Sequence, residues 1–257
     1  MSGPDADLRV SAVLPAYEEA GALDWVVERT REALRRWCRD WEVIVVVHAS
    51  ARDGTPALAA RWARQEPRLR VVTQPAGRRG YGKALALGFD AARLPWIFLC
   101  DADGQLDPLD FPLLAQEAGV FDLVAGVRSP RVDPPPRRLA AWVYNRLLRL
   151  LLGVRLRDAD CAFKLVRRDA LRSGLRLTHL ADGEIAARIF AAGGRWREVA
   201  VTHHPRLGGR SQVEAVAGLP RPGLVLAVLR EILALRLELR REASLRRRSV
   251  TRPEGGE

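Results

Sequence analysis

Two aspartates stand two residues apart in the segment Leu99-Cys100-Asp101-Ala102-Asp103-Gly104-Gln105. On extended backbone the side chains at positions i and i+2 point to the same side, so both carboxylates leave the chain together. Two such carboxylates repel each other unless a positive charge lies between them, and a hard divalent cation completed by phosphate oxygens supplies one. Gly104 permits a turn, and Gln105 offers an amide oxygen to the same shell. An ordinary acidic turn after a strand is the alternative.

The segments that must position this pair alternate between two kinds. Short apolar, β-branched runs predict strands that are buried on both faces, as in a parallel sheet. These runs are Val10–Leu14, Val43–Val47, Leu69–Val72, Trp96–Cys100 and Leu123–Val127. A 3.6-residue apolar period predicts helices over Ala22–Cys38, Thr55–Ala63 and Gly82–Ala92. This order predicts a doubly wound α/β sheet, in which ligands bind beyond the carboxyl ends of the strands.

The second half of the chain, beyond the proline-rich loop Pro130–Pro136, predicts longer helices. The predicted elements are helices over Leu139–Leu152 and Leu224–Arg241, a strand at Trp196–His203 and a further strand near Phe163–Val166. Both helices are apolar on a broad face and carry arginines elsewhere, as helices lying on an anionic leaflet do. Packing of these faces against the sheet or a second subunit is the alternative.

Polar and glycine-containing segments follow the other predicted strands in a definite order. They are Val13–Glu19, Asp53-Gly54-Thr55, Gly80–Leu85, Phe121–Arg128, Asp158–Lys164, Asp182-Gly183-Glu184 and Arg206–Ser211. Together with the Asp101/Asp103 pair they resemble, in order and spacing, family 2 glycosyltransferases of the GT-A fold. Within that family the chain is most similar to the polyprenyl-phosphate sugar synthases, and the resemblance covers roughly residues 11–213.

The resemblance implies a domain plan as well as a fold. It implies a Rossmann-like, mostly parallel mixed sheet flanked by helices, in a single catalytic domain with a C-terminal amphipathic helix. We expect the catalytic domain over residues 1–215, the amphipathic helix over 216–241 and a basic flexible tail over 242–257.

The resemblance also implies roles for individual residues. The nucleoside side of a sugar-nucleotide donor would be lined by Pro15, Tyr17, Glu19, His48, Lys83 and Ala102. Mg2+ or Mn2+ would be held by Asp101, Asp103, Gln105 and His203, although His203 also suits a polar loop. The acceptor phosphate would be bound by Arg128, Arg137, Arg206, Arg210 and Ser211. The implied catalytic carboxylates are Asp101, Asp103, Asp182 and Glu184.

The implied reaction moves a hexose, mannose or glucose, from GDP- or UDP-sugar to a polyprenyl phosphate of dolichyl or undecaprenyl type, with inversion. A phosphate acceptor is already an anionic nucleophile and needs no general base. A soluble hydroxyl acceptor is the alternative, and it would need a carboxylate base from among Asp158, Asp160, Asp182 and Glu184.

The sequence departs from the family's pattern in three segments. His48-Ala49 stand where two aspartates are usual after the second strand, Ala141 replaces an expected serine near the acceptor phosphate, and Ala162 replaces a glycine. A missing carboxylate at the nucleobase removes a hydrogen-bond acceptor and leaves the choice of base open. A non-catalytic nucleotide- or lipid-binding relative of the transferases therefore stays an alternative.

Composition narrows the class of protein. The chain has 257 residues, 48% of them hydrophobic, which excludes a disordered chain. No apolar run approaches the roughly 20 residues that span a bilayer, and Met1–Val10 lacks the apolar core of a signal peptide. The 3 cysteines are scattered along the chain. This pattern predicts reduced thiols in a cytosolic protein.

The net charge of +11 suits nucleic acid, an anionic membrane or phosphorylated molecules. No aromatic and basic stacking platform is apparent, so nucleic acid is the weakest of these partners. The remaining expectation is a peripheral protein on the cytoplasmic face of an anionic membrane, with its oligomeric state open.

Overall fold

Seven strands form one mixed sheet in the computed structural model, which describes residues 7–77, 80–171, 174–176, 179–207, 215–216, 219–220 and 222–250. The strands are β1 (Arg9–Ala16), β2 (Asp40–His48), β3 (Leu69–Gln74), β4 (Trp96–Cys100), β5 (Leu123–Arg128), β6 (Phe163–Arg167) and β7 (Trp196–Val201). Their order across the sheet is β3-β2-β1-β4-β6-β5-β7. Strand β6 runs antiparallel to β4 and β5, whereas the other pairs are parallel.

The predicted strands are therefore confirmed, and the α/β fold class with them. Strand β7 ends at Val201, two residues before its predicted end, because His203 instead forms an isolated bridge with Leu106. Two short strands, β8 (Ala215–Val216) and β9 (Leu219–Pro220), pair with each other outside the main sheet.

Helices cover both faces of the sheet. They are α1 (Leu23–Trp37), α2 (Thr55–Gln65), α3 (Tyr81–Ala91), α4 (Phe111–Ala115), α5 (Pro135–Leu152), α6 (Ala181–Ala191) and α7 (Pro222–Val250). Two 3-10 turns occupy Pro108–Asp110 and Arg168–Leu171.

Two of these helices are longer than predicted. Helix α5 begins at Pro135 rather than Leu139, because the first turn of a helix tolerates prolines, whose missing N–H has no partner there anyway. Helix α7 continues to Val250 rather than ending at Arg241, since residues 242–250 contain three Arg and one each of Glu, Ala and Leu, which favour helix. The stretch expected to be a flexible tail is thus helical through Val250.

The core has one layer on each side of the sheet. Alternate residues of β1 point to opposite faces, so Leu14 belongs to the core layer that α1, α2 and α4 cover, whereas Val13 belongs to the layer that α3, α5, α6 and α7 cover. Both residues are fully buried, and such two-sided burial explains why the strands are continuous apolar runs.

Helix α7 is joined to this core by one face only. Its Ile232 and Leu235 are completely buried against α5 and α6, whereas Leu233 and Leu237 are more than half exposed. The packing alternative therefore holds for one face, and a second apolar face remains in contact with solvent. Among the described helices none is both long and apolar enough to cross a bilayer.

Gly88 of α3 lies where the helix approaches β1 most closely. A Cβ atom at this position would stand 2.3 Å from Cγ1 of Val13 and 3.2 Å from Cγ2 of Val46. We expect Gly88→Ala to lower the free energy of unfolding by about 1–3 kcal/mol, because the overlap outweighs the helix propensity of alanine. Urea denaturation measures the change.

Gly223→Ala is the matched control, because nothing lies within 4 Å of its added Cβ. Its stability is expected to stay within about 0.5 kcal/mol of the parent protein. Equal stability of the two variants would contradict the close approach of α3 to β1.

Candidate active site

The carboxyl ends of β1, β2 and β4 bring several of the predicted site residues together. Val13 pairs with Leu99 and with Ile44, so the three strands reach the same edge of the sheet. The residues that follow them are Pro15, Tyr17 and Glu19 after β1, His48 at the end of β2, and Asp101 with Asp103 after β4. Parallel strand direction is what makes these chain segments neighbours.

A cleft of about 430 Å3 opens beside this edge. It is lined by Tyr17, Glu18, Ser50, Arg52 and Ala76. The ring of Tyr17 meets His48 edge-on at 5.5 Å between centroids. Of the cleft residues, Glu18, Ser50, Arg52 and Ala76 are absent from the predicted site, because loop residues carry no hydrophobic period from which to read them.

The motif Asp53-Gly54-Thr55 holds the loop that forms one wall of the cleft. Oδ2 of Asp53 accepts a hydrogen bond from the Ala20 N–H at 2.9 Å, and Oγ1 of Thr55 accepts one from the Glu19 N–H at 2.8 Å. These bonds hold the loop after β1 against the start of α2. The motif therefore positions the cleft wall and is not part of the lining.

Asp101 carries a buried carboxylate oxygen, Oδ1, that makes no hydrogen bond with the described residues, although the Tyr81 hydroxyl lies close enough to the carboxyl group to oppose the rise in its pKa. Burial, together with the neighbouring Asp103 and Asp182 carboxylates, raises the pKa of Asp101 well above its ordinary value. An unpartnered acidic oxygen of this kind costs free energy in the empty site and gains most from a bound cation. The donor set therefore fits a divalent metal.

Asp103 already has a cation beside it. Nη2 of Arg206 lies 2.8 Å from Oδ2 of Asp103, and Nη1 of the same guanidinium donates to Oε1 of Glu19 at 2.6 Å. Oδ1 of Asp103 accepts the Gln105 N–H at 2.9 Å, which closes the turn through Gly104. Burial raises the pKa of Glu19 to about 7 even though Arg206 opposes the shift.

Gln105 and His203, both predicted as metal ligands, contact each other. Nδ1 of His203 accepts the Val132 N–H at 3.3 Å, and Nε2 of its ring lies 3.3 Å from the side-chain amide nitrogen of Gln105. Among the described residues no three His, Cys, Asp or Glu side chains converge as a metal site, so a cation here would need further ligands from a bound substrate.

The arginines predicted to bind phosphate lie in a dense network with acidic residues. Nε and Nη2 of Arg128 donate to Oδ2 and Oδ1 of Asp158, each at 2.7 Å, and the Arg128 side chain is only 9% exposed. Arg137 lies 3.4 Å from Asp133, which also binds Arg131 at 2.7 Å. Arg128 is therefore internally satisfied, while Arg137 keeps 39% of its side chain exposed.

Asp182 and Glu184 are two residues apart in the sequence but pair with different cations. Nζ of Lys164, which is fully buried, lies 2.6 Å from Oδ1 of Asp182, and Asp182 is close enough to raise the pKa of Asp101. Glu184 is also fully buried, but its carboxylate binds Arg188 at 2.6 Å and the Arg176 N–H. The structure thus places Asp182 next to the Asp101 group and leaves Glu184 tied to α6 and its neighbours.

The other predicted residues have simpler positions. Lys83 is half-buried in the first turn of α3, and Ala102 is buried between the two aspartates. Arg210 and Ser211 lie outside the described residues.

Comparison with known proteins places this geometry in context. Residues 11–175 match the profile of the family described as "Glycosyl transferase family 2". The dodecaprenyl-phosphate galacturonate synthase of Rhizobium johnstonii is 31% identical over 217 residues, which cover 81% of this chain and 63% of that protein. The undecaprenyl-phosphate 4-deoxy-4-formamido-L-arabinose transferase of Pectobacterium atrosepticum is 31% identical over 206 residues, 79% of this chain and 62% of that protein. The chain thus spans less than two thirds of these relatives' length.

A solved structure has the same fold. It is glucosyl-3-phosphoglycerate synthase from Mycobacterium tuberculosis in complex with Mn2+, uridine diphosphate and glucosyl-3-phosphoglycerate. It superposes with a TM-score of 0.65 at 21% sequence identity, over 90% of this chain and 80% of that one. The predicted GT-A architecture is therefore confirmed.

Removing the Lys164 ammonium should lower the stability of the protein, because Lys164 compensates the buried Asp182 carboxylate. In Lys164→Met the buried Asp182 carboxylate loses its partner, so we expect a loss of about 3–5 kcal/mol in the free energy of unfolding. In the double variant Lys164→Met, Asp182→Asn both members of the ion pair are replaced by uncharged side chains, and part of the stability should return. A double variant no more stable than the single one in urea denaturation would contradict this account.

Proposed function

The chain belongs to glycosyl transferase family 2, and from its site we propose that it transfers a hexose from a nucleotide-diphosphate sugar to the phosphate of a polyprenyl phosphate. The observation that carries the proposal is the Asp101/Asp103 pair at the end of β4, beside a cleft at the ends of β1 and β2. The pair suits a metal-bound diphosphate and the cleft suits a nucleoside.

The cation of this proposal is Mg2+ or Mn2+, held by Asp101 and Asp103. Within the described part of the chain, Oδ1 of Asp101 makes no hydrogen bond, and there is no cluster of three metal-ligating side chains. Both observations favour a cation whose coordination shell is completed by diphosphate oxygens. Such a cation neutralises negative charge that develops on the leaving nucleotide. The Mn2+ and uridine diphosphate of the mycobacterial synthase support this choice.

The nucleoside, guanosine or uridine, would occupy the cleft. Tyr17 offers an aromatic face, and Arg52 offers a guanidinium at its rim. His48 stands where the family usually has an aspartate, and Ser50 beside it lies 2.8 Å from Nδ1 of its ring. Nucleobase recognition would therefore use this His48 and Ser50 pair instead of a carboxylate.

The acceptor would be a phosphate because three of the four candidate bases are occupied. Asp158 is bound by Arg128, Asp182 by Lys164, and Glu184 by Arg188, each at 2.6 or 2.7 Å. A phosphate oxygen attacks without losing a proton to the protein. The relatives named for dodecaprenyl and undecaprenyl phosphate support the same choice.

The acceptor phosphate would be bound by two guanidiniums, those of Arg137 and Arg206. Each keeps a partly exposed side chain, 39% for Arg137 and 23% for Arg206. Guanidinium groups suit this role because they grip phosphate through two parallel hydrogen bonds. Attack from the side opposite the leaving diphosphate gives inversion at the sugar.

A hydroxyl acceptor is the second candidate, and one residue favours it. Asp160 keeps 55% of its side chain exposed, and its nearest guanidinium, that of Arg128, is 4.0 Å away. It is the acidic residue of this group best placed to serve as a general base. An acceptor panel with and without polyprenyl phosphate separates the two candidates.

The lipid acceptor implies a membrane surface, which α5 and the outer face of α7 would contact. Large apolar side chains on α5 stand in solvent, with Leu139 59% and Trp142 64% exposed. On α7 the exposed large apolar residues among those described are Val225, Leu226, Leu233, Leu237 and Leu245. Apolar faces with flanking arginines bind anionic leaflets, so we place the protein peripherally on the cytoplasmic face of a membrane.

Transfer is expected to depend on Asp103. In Asp103→Ala the loss of a charged metal ligand should lower turnover with a sugar nucleotide, Mn2+ and polyprenyl phosphate at least about 100-fold. Asp90→Ala removes an exposed carboxylate from α3 and serves as the matched control. Full activity in Asp103→Ala, with an unchanged melting temperature, would overturn the metal assignment.

Vesicle binding is expected to depend on the exposed face of α5. Leu139→Ser with Trp142→Ser should reduce co-sedimentation with phosphatidylglycerol vesicles several-fold, because apolar area inserted at the interface is lost. Val120→Ser is the control, since Val120 is 51% exposed but precedes β5. If both variants sediment like the parent protein, α5 is not the contact surface.

A further inference from the structure

A short segment after β7 lies directly over the Asp101–Gln105 turn. This segment, residues 203–207, is called the strap below. The His204 N–H donates to the carbonyl of Gln105 at 2.8 Å, and the Leu207 N–H donates to the carbonyl of Asp103 at 3.2 Å. Backbone hydrogen bonds at both ends thus hold the strap to the turn that carries the predicted metal ligands.

Gly104 and Leu207 make the contact between strap and turn close. Gly104 has a φ of +75°, a conformation that favours glycine, and a Cβ there would stand 2.5 Å from Cδ1 of Leu207. The leucine side chain therefore rests on the space that a side chain at position 104 would fill. The strap is fitted to this turn by shape as well as by hydrogen bonds.

Arg206 of the strap neutralises two carboxylates at once. Its guanidinium lies 2.8 Å from Oδ2 of Asp103 and 2.6 Å from Oε1 of Glu19, and both acidic residues are buried. Glu19 belongs to the loop after β1 and Asp103 to the loop after β4, so one side chain joins the two sides of the site. A cation is thus already present where the proposed metal would bind.

A guanidinium and a divalent cation cannot share this oxygen of Asp103. Two positive charges at such short range repel strongly in a partly buried site, so one must leave before the other binds. A metal ion that arrives alone displaces Arg206 and offers the guanidinium no new anion. A metal ion that arrives with a diphosphate brings negative charge toward which Arg206 can turn.

We propose that Arg206 is a resident counter-ion that makes metal binding at Asp103 conditional on a diphosphate. While the site is empty, Arg206 holds Asp103 and Glu19 together and competes with free metal. When the metal and diphosphate enter together, the guanidinium leaves Asp103 and is available to a phosphate. The inference rests on the proposed metal role of Asp103, and it adds competition by Arg206 to that role.

The proposal predicts how metal affinity changes when the guanidinium is removed. In Arg206→Ala the affinity for free Mn2+ should rise about tenfold or more, because the competing cation is gone. The gain in Mn2+ affinity that uridine diphosphate confers should shrink by a similar factor. Electron paramagnetic resonance of free Mn2+, titrated with the full chain with and without the nucleotide, measures both quantities.

Two further variants keep the test sharp. Arg206→Gln combined with Glu19→Gln removes a charge of each sign, so it avoids leaving Glu19 buried without a partner, and it should show the same rise in affinity. Arg29→Ala is the control for a general loss of positive charge, because Arg29 pairs with Asp107 instead, at 2.5 Å. Its Mn2+ affinity should stay within about twofold of the parent protein.

The outcomes separate this inference from the proposed function. Parent protein that binds Mn2+ with uridine diphosphate, and Arg206 variants with unchanged affinity for free Mn2+ and unchanged coupling, would overturn the counter-ion role alone. If neither parent nor variants bind Mn2+ in the presence of nucleotide, the metal role of Asp103 fails and both proposals fall. A rise equal to that of Arg29→Ala would show only a general charge effect and would also overturn the counter-ion role.

Discussion

Burial of negative charge at the carboxyl edge of β4 is the constraint to which the surrounding structure responds. Burial raises the pKa of Asp101, and the Asp103 and Asp182 carboxylates lie close enough to raise it further. Carboxylates so placed need compensating cations, because charge in a low-dielectric region is costly. The chain supplies Lys164 to Asp182 and Arg206 to Asp103, and it leaves Oδ1 of Asp101 without a donor among the described residues.

Charge compensation also determines which elements are joined to the site. Glu184 and Arg188 pair on α6, and the Arg188 guanidinium reaches Glu238 of α7 at 3.1 Å. Glu231 of α7 accepts the Leu180 N–H at 2.9 Å, just before α6 begins. The helix that carries Asp182 is therefore held at its start and along its length by the C-terminal helix.

Arg128 shows how the same constraint acts on a residue whose role was inferred from sequence. The family resemblance implies that Arg128 binds the acceptor phosphate, and in the structure its Nε and Nη2 donate to Asp158. Sequence spacing could not show this pairing, because Asp158 is 30 residues away along the chain. Glu184 is also engaged, but by Arg188 one turn further along α6 and by the Arg176 N–H. By contrast Arg206, read as a phosphate ligand, lies against the aspartate pair itself.

The amino-acid sequence by itself determined the seven strands of the main sheet, five of the helices and the position of the Asp101/Asp103 pair at a strand end, since hydrophobic period is a local property. It also predicted that the ends of β1, β2 and β4 meet, because parallel strands share an edge. Only the tertiary structure decided which carboxylate each arginine or lysine neutralises and which face of α7 is buried. Those outcomes depend on contacts between residues far apart in the chain, which local sequence pattern does not encode.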